Sequence, residues 1–116
     1  KDIMKTLTVE KPWGKFDQFT HNEITTVKIL SVNRGGSLSL QYHNHRKEFW
    51  RVISGHPLIT IGGDALVANP GDEFIIDKLQ PHKLEALNDD AQVLEVAFGD
   101  FDENDIIRLE DKYGRV

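Results

Sequence analysis

Short runs rich in β-branched and aromatic residues recur along most of this chain, each closed off by glycine, proline, asparagine or aspartate. That punctuation restricts the chain to an all-β architecture of short strands and tight turns. The candidate strands are Phe16 to Phe19, Thr25 to Val32, Ser37 to His43, Glu48 to Ile53, Pro57 to Ile61, Ala65 to Ala68, Glu73 to Ile76, His82 to Leu87 and Gln92 to Phe98. Such a density, nine strands in about 85 residues, is that of an antiparallel sandwich or a small barrel. Gly62-Gly63-Asp64 reads as a hairpin turn, and Asn69-Pro70-Gly71-Asp72 as a β-turn with proline at its second position. Only the C-terminus looks helical. There Asp102 or Asn104 is placed to cap a short helical segment, with Ile106, Ile107 and Leu109 packing back on the barrel and Gly114 ending it.

The length of 116 residues suits one domain over 1–116 and is sufficient to bury a core without disulfides. Cysteine is absent, so thiolate zinc sites and iron–sulfur ligation are excluded. Any transition metal must be held by histidine, carboxylate or amide oxygen. The formal charge of −5 disfavours nucleic acid as a partner. No apolar run approaches the ~18 residues of a membrane span, and no signal peptide is evident, so the expected location is the cytoplasm with no membrane partner.

Chemistry concentrates in a few places. Between Ser37 and His45 a period of two sets Leu38, Leu40 and Tyr42 on one face and Ser37, Ser39, Gln41, His43 and His45 on the other. Amide oxygen and imidazole nitrogen repeated every second residue stand about 7 Å apart, close enough to share an ion. Glu48 heads a strand on the face of Trp50 and Val52, where an acidic residue needs a partner. His82 shares a face with Leu84 and Ala86, which points it inward. Singly, each has an ordinary structural explanation: a solvated strand face, a strand-end carboxylate, a core histidine with its hydrogen bond made. Together they form a candidate ligand set.

The order of these residues resembles the two motifs of the cupin superfamily. Gly35, five residues, Gln41-Tyr42-His43, four residues, Glu48, six residues and Gly55 match the first motif, with Gln41 in the place of its first histidine. Pro70-Gly71-Asp72, the apolar Phe74, Ile75 and Ile76, and then His82 match the second, with Asp77 in place of a proline and Leu79 in place of a glycine. The resemblance implies a double-stranded β-helix, a jelly-roll barrel, holding one divalent ion on Gln41, His43, Glu48 and His82. A second register takes His43, His45 and Glu48, with His45 replacing Gln41. The Gln41 register satisfies both flanking glycines.

A narrower resemblance covers nearly the whole chain. Lys11-Pro12-Trp13-Gly14, the segment from Leu38 to Trp50 and the ending from Glu103 to Arg115 are similar to type II phosphomannose isomerases. In many of these the module is the C-terminal domain of a bifunctional enzyme that also carries a mannose-1-phosphate guanylyltransferase; no GTP chemistry is expected of the residues here. The resemblance implies interconversion of mannose 6-phosphate and fructose 6-phosphate by a proton shift between adjacent carbons. That reaction requires a Lewis acid, a base near neutral pKa and a cation for the phosphate. Zinc is the first expectation for the ion, with manganese, iron and nickel as alternatives. His45 is the candidate base, since it projects from the ligand face and titrates near physiological pH. Arg46, Lys47, Lys78 and Lys83 are the candidates for holding the phosphosugar, while Arg108 and Arg115 are placed to pin the acidic C-terminus to the barrel. A metal-dependent oxygenase and a non-catalytic phosphosugar-binding module are the alternatives on the same fold. Small barrels of this type often pair through an exposed strand edge, so a homodimer is expected.

Overall fold

The computed structural model describes residues 6–116, which form eleven β-strands. They are β1 (Leu7–Lys11), β2 (Gly14–Gln18), β3 (Thr25–Val32), β4 (Leu40–Tyr42), β5 (Lys47–Ser54), β6 (Leu58–Ile61), β7 (Asp64–Val67), β8 (Glu73–Ile76), β9 (His82–Glu85), β10 (Ala91–Phe98) and β11 (Ile107–Glu110). All pairings are antiparallel: a hairpin β1-β2, a four-stranded sheet β3-β10-β5-β8 and a five-stranded sheet β11-β4-β9-β6-β7. The described residues contain no helix long and apolar enough to cross a membrane.

Alternation along each strand decides what is buried. On β5, Glu48, Trp50 and Val52 turn inward and are at most 1% exposed, and on β9 His82 and Leu84 do the same, followed by Ala86. These inner faces meet in one cluster in which Trp50, Val52, Ile76 and Val93 of one sheet pack with Ile59 and Leu84 of the other. Burying such side chains contributes on the order of 1.5–3 kcal/mol each, so the core lies between the sheets and the inward polar residues are held among it.

The expected C-terminal helical segment is a strand. Asp102 begins only a turn, its carbonyl accepting the Asp105 amide at 3.0 Å and its carboxylate the Asn104 amide at 2.9 Å. The chain then extends as β11, pairing Ile107 with Tyr42 and Arg108 with Gln41. The free edge of β4 supplies a hydrogen-bond ladder, and the spacing of Ile107 and Leu109 fits a strand as readily as a helix. Ile106 is half-buried, whereas Ile107 and Leu109 are exposed instead of packing on the barrel. The expected strand from Ser37 to His43 narrows to Leu40–Tyr42, preceded by an isolated bridge from Ser37 to Glu85.

Two positions explain the motif spacing physically. Gly55 has φ +81°, and a Cβ there would lie 2.2 Å from the Asp90 carbonyl oxygen, so only glycine fits. Leu79, where a glycine is expected, keeps the left-handed backbone at φ 67° while its side chain is 60% exposed. Its amide donates to the His43 carbonyl at 2.8 Å, tying the turn before β9 to the segment after β4.

Candidate metal centre

His43, Glu48 and His82 come from three separate segments and converge inside the barrel, with one ligand atom of each within 4.8 Å of the others. Their residues are 2%, 0% and 1% exposed. Glu48 Oε2 lies 3.5 Å from His43 Nε2, and Glu48 Oε1 lies 3.9 Å from His82 Nε2. Ligands around a tetrahedral divalent ion are about 3.4 Å apart, so small side-chain movements close the set on a cation.

Hydrogen bonding fixes the imidazole tautomers. His43 Nδ1 faces the Asp105 carbonyl at 2.6 Å, and His82 Nδ1 faces the Gln80 carbonyl at 2.9 Å. A carbonyl only accepts, so each Nδ1 carries the proton and each Nε2 turns a lone pair toward Glu48. Burial lowers both imidazole pKa values, that of His82 to about 4, which keeps the rings neutral as ligands must be. Glu48 Oε1 and His82 Nε2 are buried without any hydrogen-bond partner. Two orphaned acceptors facing one another are costly in a fold and are satisfied together by a cation.

Arg46 and Glu95 complete the surroundings. Arg46 is 9% exposed; its Nε donates to Glu48 Oε2 at 2.7 Å and its Nη2 lies 3.3 Å from His43 Nε2, leaving Glu48 Oε1 free. Its guanidinium also stacks 4.4 Å from the centre of the Phe101 ring. Glu95 accepts from Trp50 Nε1 at 3.3 Å, and the Trp50 indole meets the His82 ring edge-on at 5.5 Å. Burial, and then the neighbouring Glu48 carboxylate, push the Glu95 carboxyl well above the ordinary glutamate value.

Beside the three residues lies a cavity of about 190 Å³, whose polar lining includes Ser39, Gln41, Arg46, Glu95 and Arg108. Gln41 pairs directly with His82 across the sheet, and its Oε1 accepts from Ser39 Oγ at 2.7 Å. Of the residues expected from sequence, His43, Glu48 and His82 are therefore brought together, with Gln41 and Arg46 next to them. His45 is not: the chain turns at Asn44, the alternation ends, and His45 is exposed with its backbone amide bound to Asp105. Lys47 and Lys78 line a separate surface pocket with Asp77, and Lys83, on the face of β9 opposite His82, lies 3.6 Å from Glu85. Sequence reasoning missed Glu95, Asp105 and the cavity-facing side of Arg108, which are recognisable only once β10 and β11 have been placed. Arg115 does bind within the terminal segment, its Nε lying 2.7 Å from Asp111.

The comparisons with known proteins agree with this geometry. A family model described as "Mannose-6-phosphate isomerase C-terminal" matches residues 1–111. The mannose-1-phosphate guanylyltransferase ManC of Salmonella typhimurium is 36% identical over 110 residues, which cover 93% of this chain and 23% of that protein. The xanthan biosynthesis protein XanB of Xanthomonas campestris is 36% identical over 92% of this chain and 23% of its own length. The chain thus spans about a quarter of these curated relatives. Among solved structures, the capsular polysaccharide assembling protein CapF of Staphylococcus aureus superposes with TM-score 0.68 at 19% identity, over 92% of this chain and 35% of that one. Oxalate decarboxylase of Bacillus subtilis gives TM-score 0.66 at 26% identity, over 75% of this chain and 24% of that one. These likenesses give the cupin fold, and the family match extends over nearly every residue that builds the site. The chain belongs to the mannose-6-phosphate isomerase C-terminal family of cupins.

Proposed function

We propose that this chain is a metal-dependent aldose–ketose isomerase that interconverts mannose 6-phosphate and fructose 6-phosphate. The observation that carries the reading is the pair of orphaned acceptors, Glu48 Oε1 and His82 Nε2, buried beside a polar cavity large enough to admit small-molecule atoms. His43, Glu48 and His82 would hold one divalent ion, with Gln41 as a fourth donor, and zinc, manganese, iron and nickel all suit nitrogen and oxygen ligands. Such an ion supplies Lewis-acid polarisation of a sugar carbonyl.

The chain's own residues account for the remaining needs. The Asp105 and Gln80 carbonyls hold the two imidazoles in the ligating tautomer, and Arg46 orients Glu48 through Oε2. Glu95 lines the cavity, and in this reading its carboxylate takes a proton from one sugar carbon and returns it to the next. His45, exposed outside that lining, is the less favoured of the two for this task. Pairing of two copies is proposed through the edge strand β3, whose Val27 and Ile29 are 57% and 58% exposed.

Metal analysis by mass spectrometry, followed by an assay of mannose 6-phosphate with and without added metal, tests the proposal. Turnover that chelation abolishes, and that His43→Ala and His82→Ala each remove while the melting transition stays cooperative, is the expected result. A metal-loaded, folded chain that leaves mannose 6-phosphate unchanged overturns it, and oxygen uptake in its place would point to an oxygenase.

A further inference from the structure

The cavity beside the metal ligands is lined by four basic side chains, and three of them are already engaged. Lys28 Nζ lies 2.9 Å from Glu103, Arg46 Nε lies 2.7 Å from Glu48, and Arg115 Nε lies 2.7 Å from Asp111. Arg108 is the exception. Among the described residues it forms no ion pair, and its buried Nε has no hydrogen-bond partner. A guanidinium has five donors in a rigid fork, and leaving one of them dry and unpaired is unfavourable unless an anion visits it.

The topology says which part of a ligand would reach it. Arg108 on β11 pairs with Gln41 on β4, and Gln41 pairs with His82 on β9, so three inward side chains form one row across the sheet. Two strand spacings separate the ends of that row by about 10 Å of backbone. That span is on the scale of a phosphorylated six-carbon chain. The row therefore runs from Arg108 in the cavity lining, through Gln41 in the same lining, to His82 among the metal ligands.

We infer that Arg108 is the anchor for the phosphate of the sugar substrate, gripping its oxygens with the guanidinium fork so that the opposite end of the molecule lies beside His43, Glu48 and His82. The ligand class is a phosphomonoester of a short polyol, and the inference rests on the isomerase reading for which end of it reacts. Lys47, Lys78 and Lys83, the cations expected from sequence, are absent from this cavity's lining, whereas Arg108 is part of it. Planar, two-pronged recognition of phosphate is the task for which arginine is better suited than lysine.

The test compares binding of fructose 6-phosphate, fructose and inorganic phosphate to the metal-loaded protein by calorimetry, in wild type and in Arg108→Gln. Wild type should prefer the phosphorylated sugar, and Arg108→Gln should reduce that preference by about ten- to a hundredfold, with unchanged metal content and unchanged affinity for fructose. Arg108→Lys should recover part of the loss, and it carries the same comparison where Arg108→Gln does not fold. Equal weakening for both sugars means a structural role and overturns the inference, as does an undiminished preference in the variants. Arg108-dependent binding of fructose 6-phosphate without turnover would uphold the anchor and remove the isomerase. Turnover with an unaltered KM in Arg108→Gln would do the reverse.

Discussion

The backbone carbonyl of Asp105 accepts the Nδ1 proton of His43 at 2.6 Å, so a residue 62 positions away in sequence decides which nitrogen of a metal ligand is free. The same residue uses its carboxylate on the ligand's own turn. Its Oδ1 accepts the Asn44 amide at 2.8 Å and its Oδ2 the His45 amide at 2.9 Å. Through these three bonds the segment that follows the cavity clamps the one that carries the first imidazole.

Removing the Asp105 carboxylate should therefore loosen His43 without touching a ligand atom. Asp105→Ala loses two charge-assisted bonds to backbone amides and is expected to destabilise the fold by about 2–3 kcal/mol. It should also weaken metal binding by about ten- to a hundredfold, the usual range when an outer partner of a ligating histidine is lost. Burial raises the pKa of this carboxyl, but the Asn44 and His45 amides outweigh it and hold the value below 3.8. Its contribution is present above the unfolded value and is lost as pH falls through the folded one. Thermal melts and a competitive metal titration read both effects.

The pH dependence of the chelator-treated protein follows from buried groups of opposite sign, the lowered imidazoles of His43 and His82 against the raised carboxyl of Glu95. His82 is lowered from 6.5 to about 4, mainly by burial, so the unfolded chain binds the extra proton first and stability falls as pH drops through that window, by roughly 3 kcal/mol in all. Glu95 is raised from 4.5, so its contribution is present below 4.5 and is lost as pH rises through the elevated folded value. Between about pH 4.5 and 6.5 the Glu95 slope opposes that of the two imidazoles. Wild type should therefore gain melting temperature with pH less steeply over that range than Glu95→Gln does. Parallel melting profiles for the two proteins would refute this pairing of effects.

The ligand trio was legible because each member announces itself by alternation alone. Glu48 shares a face with Trp50 and Val52, His82 with Leu84 and Ala86, and those apolar neighbours are buried as the period of two requires. Glu95 gave the same signal, alternating with Val93 and Ala97, but nothing in sequence says that Ala97 pairs with Glu48 and so brings the two acids close. Arg108 and Asp105 were hidden by the helical reading of the C-terminus, since Ile106, Ile107 and Leu109 satisfy either period and only the open edge of β4 chooses between them. His45 does not share the ligand face expected of it, because a face holds its direction only while the strand continues, and here the chain turns at Asn44.

Leu79 offers a stability prediction outside the chemistry. Its φ of 67° is a conformation that costs an L-residue roughly 1–2 kcal/mol, and with the side chain 60% exposed little burial offsets it. Leu79→Gly removes the steric cost and adds back part of it as unfolded-state entropy. The net expectation is a gain of about 0.5–1 kcal/mol in denaturant unfolding, with the bond from residue 79 to the His43 carbonyl retained. A branched side chain should move the midpoint the other way, so Leu79→Val is the matched control.

Glu95 is the residue on which the proposed proton transfer can be tested most directly. It lines the cavity, and Trp50 Nε1 at 3.3 Å fixes the orientation of one oxygen. Glu95→Gln keeps the shape and the hydrogen bond from the indole, since an amide oxygen accepts as a carboxylate does. It removes a like charge from beside Glu48, so the folded protein should be at least as stable near neutral pH and should load metal at least as well. Turnover depends on a different property, the ability to accept a proton, and general-base removal costs about 10²- to 10⁴-fold in kcat. A variant that binds metal and sugar phosphate normally yet loses kcat on this scale would place the proton transfer at Glu95. Retention of kcat there, with its loss in His45→Gln, would return the role to the exposed turn and require that turn to fold over the cavity during catalysis.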